Sequence, residues 1–266
     1  MAYAKHDVRY LWVFHFVCHN VNFFDEGKGM GINIGNSIFP GLNDKHGLMI
    51  CGYEWGFSKP DQEILESGRS VFFNENAVAT FSNKSPVHGE RALVWKYDNR
   101  IIKWFGLWGH PLSRDGLGGD FEKLVVQTNW CNTEGNTINE SYFKKLTASE
   151  QVNNFIFHIK EFQPSLILFM GSDIINILQD PSIKYKFEEI MGKSEAPPEK
   201  IQKQFSGRRF KVGFQKFKNC QVVSLPHPSS SRGLADDYIA LFETEIGWLI
   251  DDLKARHAIK NRQIQA

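Results

Sequence analysis

The chain has 266 residues, a formal net charge of +1 and a composition of 42% hydrophobic and 23% charged residues, an ordinary globular balance for one large domain or two small ones. With a pI near 7.7, the global charge gives no support to nucleic-acid binding, since proteins that rely on bulk attraction to DNA are usually more basic. No apolar run approaches the roughly 20 residues that span a bilayer, the first ten residues lack a signal-peptide pattern, and Cys18, Cys51, Cys131 and Cys220 form no C-x-x-C pair, so a cytoplasmic protein without zinc ribbon or obligatory disulfides is expected.

In chain order, the first 45 residues read as a helical cap. A short apolar run, Leu48–Cys51, predicts a buried strand and is followed by Gly52-Tyr53-Glu54-Trp55-Gly56. Residues 68–120 are crowded with aromatics (Phe72, Phe73, Phe81, Trp95, Tyr97, Trp104, Phe105, Trp108) and read as an insertion with short strands or loops of its own. A second strand, Leu124–Thr128, leads to Asn129. Across 148–162, Val152, Phe155, Ile156, Ile159 and Phe162 keep helical spacing, with Thr147 and Glu150 as a candidate capping box. Leu166–Met170 predicts a third strand, ending at Gly171.

The stretch 200–219 carries seven Lys or Arg and no acid, with Phe205, Phe210, Phe214 and Phe217 interleaved. It reads either as a basic aromatic surface for nucleic acid or as a strand pair with one apolar and one solvated face. The fourth strand, Gln221–Leu225, is followed by Pro226-His227-Pro228-Ser229-Ser230-Ser231-Arg232. Ile239, Phe242, Ile246, Leu249 and Leu253 then predict a C-terminal helix.

Strands alternating with helices predict a three-layer α/β/α domain around a central four-stranded parallel sheet. No repeat or linker divides residues 1–266. Ligands of such sheets gather at the carboxyl ends of the strands, which directs attention to the residues after each run. There Asn129 offers a donor and an acceptor to a base edge. A histidine between prolines, followed by hydroxyls, suits charge stabilisation and phosphate contact.

Together these residues resemble the uracil-DNA glycosylase superfamily. Gly52-Tyr-Glu-Trp-Gly56 resembles its first motif and His227-Pro-Ser229 its second. Val125-Val-Gln-Thr-Asn129 is similar to the strand whose Asn reads a flipped base, and Phe162–Gly171 to its helix-to-strand step. The order holds over roughly 48–253.

The resemblance implies a glycosylase that flips a base out of DNA and hydrolyses its N-glycosidic bond, working as a monomer without cofactor, metal or iron–sulfur cluster. It implies that Glu54 positions water and that His227 stabilises the departing base. Asn129, with Gly52, Tyr53, Trp55 and Gly56, would form the base pocket, and Phe72 or Phe73 would stack on the base. Ser229, Ser230, Ser231 and Arg232 would hold DNA, with Arg232 or Leu234 as the wedge. Glu54 stands where several branches carry Asp or Asn, Trp55 replaces a Pro, and Gly56 stands where the strictest uracil enzymes have Tyr. Uracil is the default that the resemblance implies, and these departures, with the aromatic segment 68–120, point also to a larger or modified base, such as a hypermodified phage pyrimidine, and so to phage defence as well as repair.

A non-catalytic DNA reader of the same fold is the competing class. An unrelated hydrolase lacks its G-x-S-x-G, P-loop or G-x-G-x-x-G motif, and His15 with His19 forms an incomplete metal set.

Overall fold

A computed structural model of the protein describes residues 34–35, 46–56, 63, 66–67, 74, 77–133 and 141–264, all within a unit spanning 33–266. The expected N-terminal cap therefore lies outside the described residues, apart from Ile34–Gly35 (β1), and so do Phe72, Phe73, His15 and His19.

Each apolar run forms its strand: Leu48–Gly52 (β2), Val125–Asn129 (β3), Leu166–Met170 (β4) and Cys220–Leu225 (β7). β2, β3 and β4 are buried at every position, as strands covered on both faces must be. These four pair parallel in the order β3-β2-β4-β7, with Leu48 opposite both Val125 and Leu166, and Leu166 opposite Gln221.

They are only the inner part of the sheet, which is larger and mixed. β1 adds antiparallel to β3 at one edge, and Val212–Phe217 (β6) and Glu199–Ile201 (β5) add antiparallel beyond β7. The hairpin β6–β7 needs only a two-residue turn, Lys218–Asn219, so local pairing outcompetes a crossover there.

One face of the sheet packs against Lys96–Leu107 (α2), Asp236–Ala240 (α8) and Glu243–Ile264 (α9). Ile50, Leu168 and Val223 meet Trp104, Phe105, Phe242 and Ile246 there. The opposite face carries Ser149–Phe162 (α5) and Pro181–Met191 (α7): Phe155 lies 5.9 Å from Phe169 and 6.0 Å from Phe187, ring to ring.

The segment 68–120 departs from its expected character. Its described part carries helices, Ser85–His88 (α1), a 3₁₀ turn at Glu90–Val94, and α2, between the expected loops at 77–84 and 108–119, and no strand among the described residues. Ile101, Trp104, Phe105 and Trp108 fall three and four apart and are buried, so their apolar side completes a layer of the core.

Asp120–Lys123 (α3) leads into β3. Ser141–Thr147 (α4) ends at Thr147, whose hydroxyl donates to the Phe143 carbonyl at 3.0 Å, while α5 starts from Ala148. The expected Thr147 cap is therefore a C-terminal residue of the preceding helix. Ile174–Ile177 (α6) follows β4. The C-terminal apolar pattern is shared between α8 and α9, and all five of its residues are buried.

Among the described residues, no helix is long and apolar enough to cross a membrane, and no group of three His, Cys, Asp or Glu side chains is placed to hold a metal ion.

Candidate functional site

The connection that leaves β2 runs through α2 on one face of the sheet and those that leave β3 and β4 run through α5 and α7 on the other, the topology that in open α/β sheets places a crevice at the carboxyl end of β2. Beyond the strand ends the chain stays paired: Trp130 N–H donates to Gly52 O at 2.9 Å, Cys131 N–H to Tyr53 O at 2.8 Å, and Trp55 N–H to Thr133 O at 3.3 Å. Two glycines are required here by close approach. A Cβ on Gly52 would overlap Asn129 Oδ1 and lie 3.1 Å from Tyr97 Oη, and one on Gly171 would enter the Tyr53 ring.

His227 stands at the end of β7 between buried Pro226 and Pro228. Its Nδ1 accepts the backbone N–H groups of Ser229 (3.2 Å) and Ser230 (3.1 Å), with Ser229 Oγ at 3.3 Å. A backbone N–H can only donate, so Nδ1 bears no proton and the neutral ring carries its hydrogen on Nε2. Burial pushes the imidazole pKa down to about 4, which keeps the ring neutral at physiological pH. The ring is flanked by Tyr53, nearly parallel at 6.0 Å, and Tyr97, inclined by 50° at 5.4 Å.

The turn that carries His227 is tied to α2. Arg100 donates to Pro228 O at 2.6 Å, to Leu234 O, and through Nε to Asp236 Oδ1 at 2.7 Å. Lys103 and the Trp104 indole also donate to Asp236. Burial raises the Asp236 pKa, but the hydrogen bonds from Lys103, Arg100 and Trp104 outweigh it and hold the value at about 2.

A turn earlier on α2, buried Asp98 accepts Lys84 Nζ at 2.8 Å, and Lys84 also donates to Gln127 Oε1. Gln127 lies two residues before Asn129 on β3, so both project from the same face of the strand.

Glu54 belongs to a neighbouring cluster. Its Oε2 pairs with Lys145 of α4 and accepts Thr133 Oγ1 at 2.9 Å, and the side chain is only 6% exposed. Tyr142 lies against it: burial first, then the Glu54 charge, drives the phenol pKa far up. The two clusters meet through Tyr53, whose ring is 5.4 Å from Tyr142. Burial, then the Asp173 charge, lifts Tyr53 to about 12, against a backbone hydrogen bond from Asp173 that acts the other way.

Of the residues expected from sequence, the structure brings Gly52, Tyr53, Asn129 and His227 together. Glu54 and Trp55 occupy the adjoining turn, the Trp55 indole N–H buried without a partner, and Gly56 is exposed. Ser229, Ser230 and Arg232 are exposed and Ser231 is half-buried. The Ser229 and Ser230 N–H groups, expected to meet phosphate, instead hold the histidine. Leu234, an expected wedge, is buried in the core, where it cannot enter DNA.

The basic stretch follows the strand-pair pattern. Phe205, Phe210 and Phe214 pack on the core, Lys203 pairs with Glu245 at 2.6 Å, and Lys216 pairs with Glu195 at 2.7 Å.

Sequence reasoning missed Tyr97, Arg100, Tyr142 and Lys145. Tyr97 was findable, because Tyr97, Ile101, Trp104 and Trp108 extend one helical stripe. No protein-family model and no curated protein matches the chain.

Proposed function

We propose that this chain is a divergent member of the uracil-DNA glycosylase superfamily, a monomeric cytoplasmic enzyme that flips a base out of DNA and hydrolyses its N-glycosidic bond. The observation that carries the reading is His227: a neutral imidazole with Nδ1 occupied by two backbone donors and Nε2–H left as a donor, at a strand end with the Tyr97 ring 5.4 Å away, whose hydroxyl shares the space over Gly52 with Asn129. When the bond from C1′ to the base breaks, its electron pair leaves with the base. A fixed neutral N–H donor stabilises the resulting oxyanion without prior reorganisation.

Asn129 reads the base edge, and Glu54, oriented by Lys145 and Thr133, sets the attacking water and favours the cationic sugar. Exposed Ser229, Ser230 and Arg232 meet the phosphates. The base is uracil or a modified pyrimidine, for which Gly56 leaves room.

The test is base release from duplexes carrying uracil, hypoxanthine, 5-hydroxymethylcytosine or glucosylated cytosine, with alkaline cleavage at any abasic site. Release from one of them, reduced about 10²- to 10³-fold by His227→Ala and strongly by Glu54→Gln, is the expected result. The buried pairing of Glu54 with Lys145 favours a second reading, a reader that binds the flipped base without cutting it. Base-specific binding without release from any duplex would select that reading.

A further inference from the structure

The hydroxyl of Tyr97 is buried and has no hydrogen-bond partner. Buried polar groups are almost always paired, and one left unpaired destabilises the folded protein until something pairs with it. The hydroxyl stays protonated, since burial, then the charges of Asp98 and Cys51, drives its pKa well up, so it can both donate and accept.

Its position is not incidental. It lies 3.1 Å from the Cβ position of Gly52, the same point that Asn129 Oδ1 overlaps, and its ring lies 5.4 Å from that of His227. The turn of α2 that carries it is anchored. The next residue, Asp98, is fixed by Lys84, and Gln127, bonded to the same lysine, ties this turn of α2 to β3. The turn of α2 that carries the unpaired hydroxyl is thus tied to β3, with the hydroxyl next to Gly52 and Asn129 and the ring next to His227.

We propose that Tyr97 is a specificity-determining residue whose hydroxyl pairs with the polar edge of a planar heterocyclic base entering over Gly52, beside Asn129. This inference rests on the base-flipping reading and adds to it a second reading group, supplied by α2 rather than by a strand end. Two fixed polar groups select a base that presents two adjacent hydrogen-bonding atoms on one edge, because a base lacking either one leaves a buried group unpaired.

The experiment is Tyr97→Phe, measured by thermal unfolding and by binding to two duplexes. One carries the base that wild type prefers among the four named above, and the other carries a tetrahydrofuran abasic site in its place. The expected result is roughly 3- to 10-fold weaker binding of the base-bearing duplex, unchanged binding of the abasic duplex, and a melting temperature that is equal or higher.

Equal weakening on both duplexes, or no weakening on either, overturns the assignment. So does a melting temperature lowered by several degrees, which would show the hydroxyl already paired in the free protein. If wild type does not distinguish any base-bearing duplex from the abasic one, the base-flipping reading itself fails, and that outcome is visible before the variant is examined.

Discussion

Single atoms decide the chemistry of this crevice. Whether His227 presents a donor or an acceptor depends on two backbone N–H groups two and three residues further on, and the shape of the Pro-His-Pro-Ser turn, held to α2 by Arg100, puts them on Nδ1. Gly52 is a second case, since its lack of a side chain leaves the space that Asn129 and Tyr97 share. Gly52→Ala is expected to displace the Asn129 amide, itself 4% exposed and closely surrounded. Under the proposed base-flipping reading, base release should fall at least 10-fold, while affinity for an abasic duplex, which that reading assigns to phosphate contacts, stays within about 2-fold. Unimpaired release by Gly52→Ala would show that the base does not enter there.

At the scale of elements, α2 is the part that organises the site. It places Tyr97 over β2, anchors the His227 turn through Arg100 and Asp236, and joins β3 through Asp98, Lys84 and Gln127. A buried ion pair contributes little net stability beside an apolar replacement, but removing one partner strands the other charge. Asp98→Ala should therefore destabilise the fold by about 3–5 kcal/mol, measured by urea unfolding. Asp98→Ala with Lys84→Met should recover most of that loss, because no uncompensated charge remains. Equal losses in the single and double variants would show that the pair acts through packing alone.

The same helix marks where sequence reading stopped. The four parallel strands were legible because unbroken runs such as Leu166–Met170 have no polar face to offer water. The stripe from Tyr97 to Trp108 obeys an equally simple spacing, but it is diluted by Lys96, Asn99, Arg100 and Lys103 and by the many aromatics around it. The segment therefore read as an insertion, although it builds a layer of the core.

For the whole molecule, two histidines with lowered pKa values, buried His158 and half-buried His227, shape the response to acid. Burial lowers His227 to about 4 and His158, which meets the Thr128 hydroxyl at 2.7 Å, to about 3, against 6.5 for an unperturbed imidazole. Between those values and 6.5 the unfolded chain binds more protons than the folded one, so stability rises with pH across that window. Their contribution is complete above pH 6.5 and declines as pH falls towards 4 and then 3. Melting temperatures measured from pH 7 to pH 4 should decline, and His158→Gln should flatten the decline. A slope unchanged by that variant would remove His158 as a cause.

The sequence by itself determined the four parallel strands and the order in which Gly52, Asn129, Gly171 and His227 arrive at their carboxyl ends, since hydrophobic runs and turn-formers act locally. Only the tertiary structure decided that Glu54 is paired with Lys145, that Tyr97 reaches Gly52, and that the serine N–H groups serve the histidine. Those contacts, apart from the last, join residues 45 to 91 positions apart, and pairing at that range depends on how the helices are laid across the sheet, which no local pattern encodes.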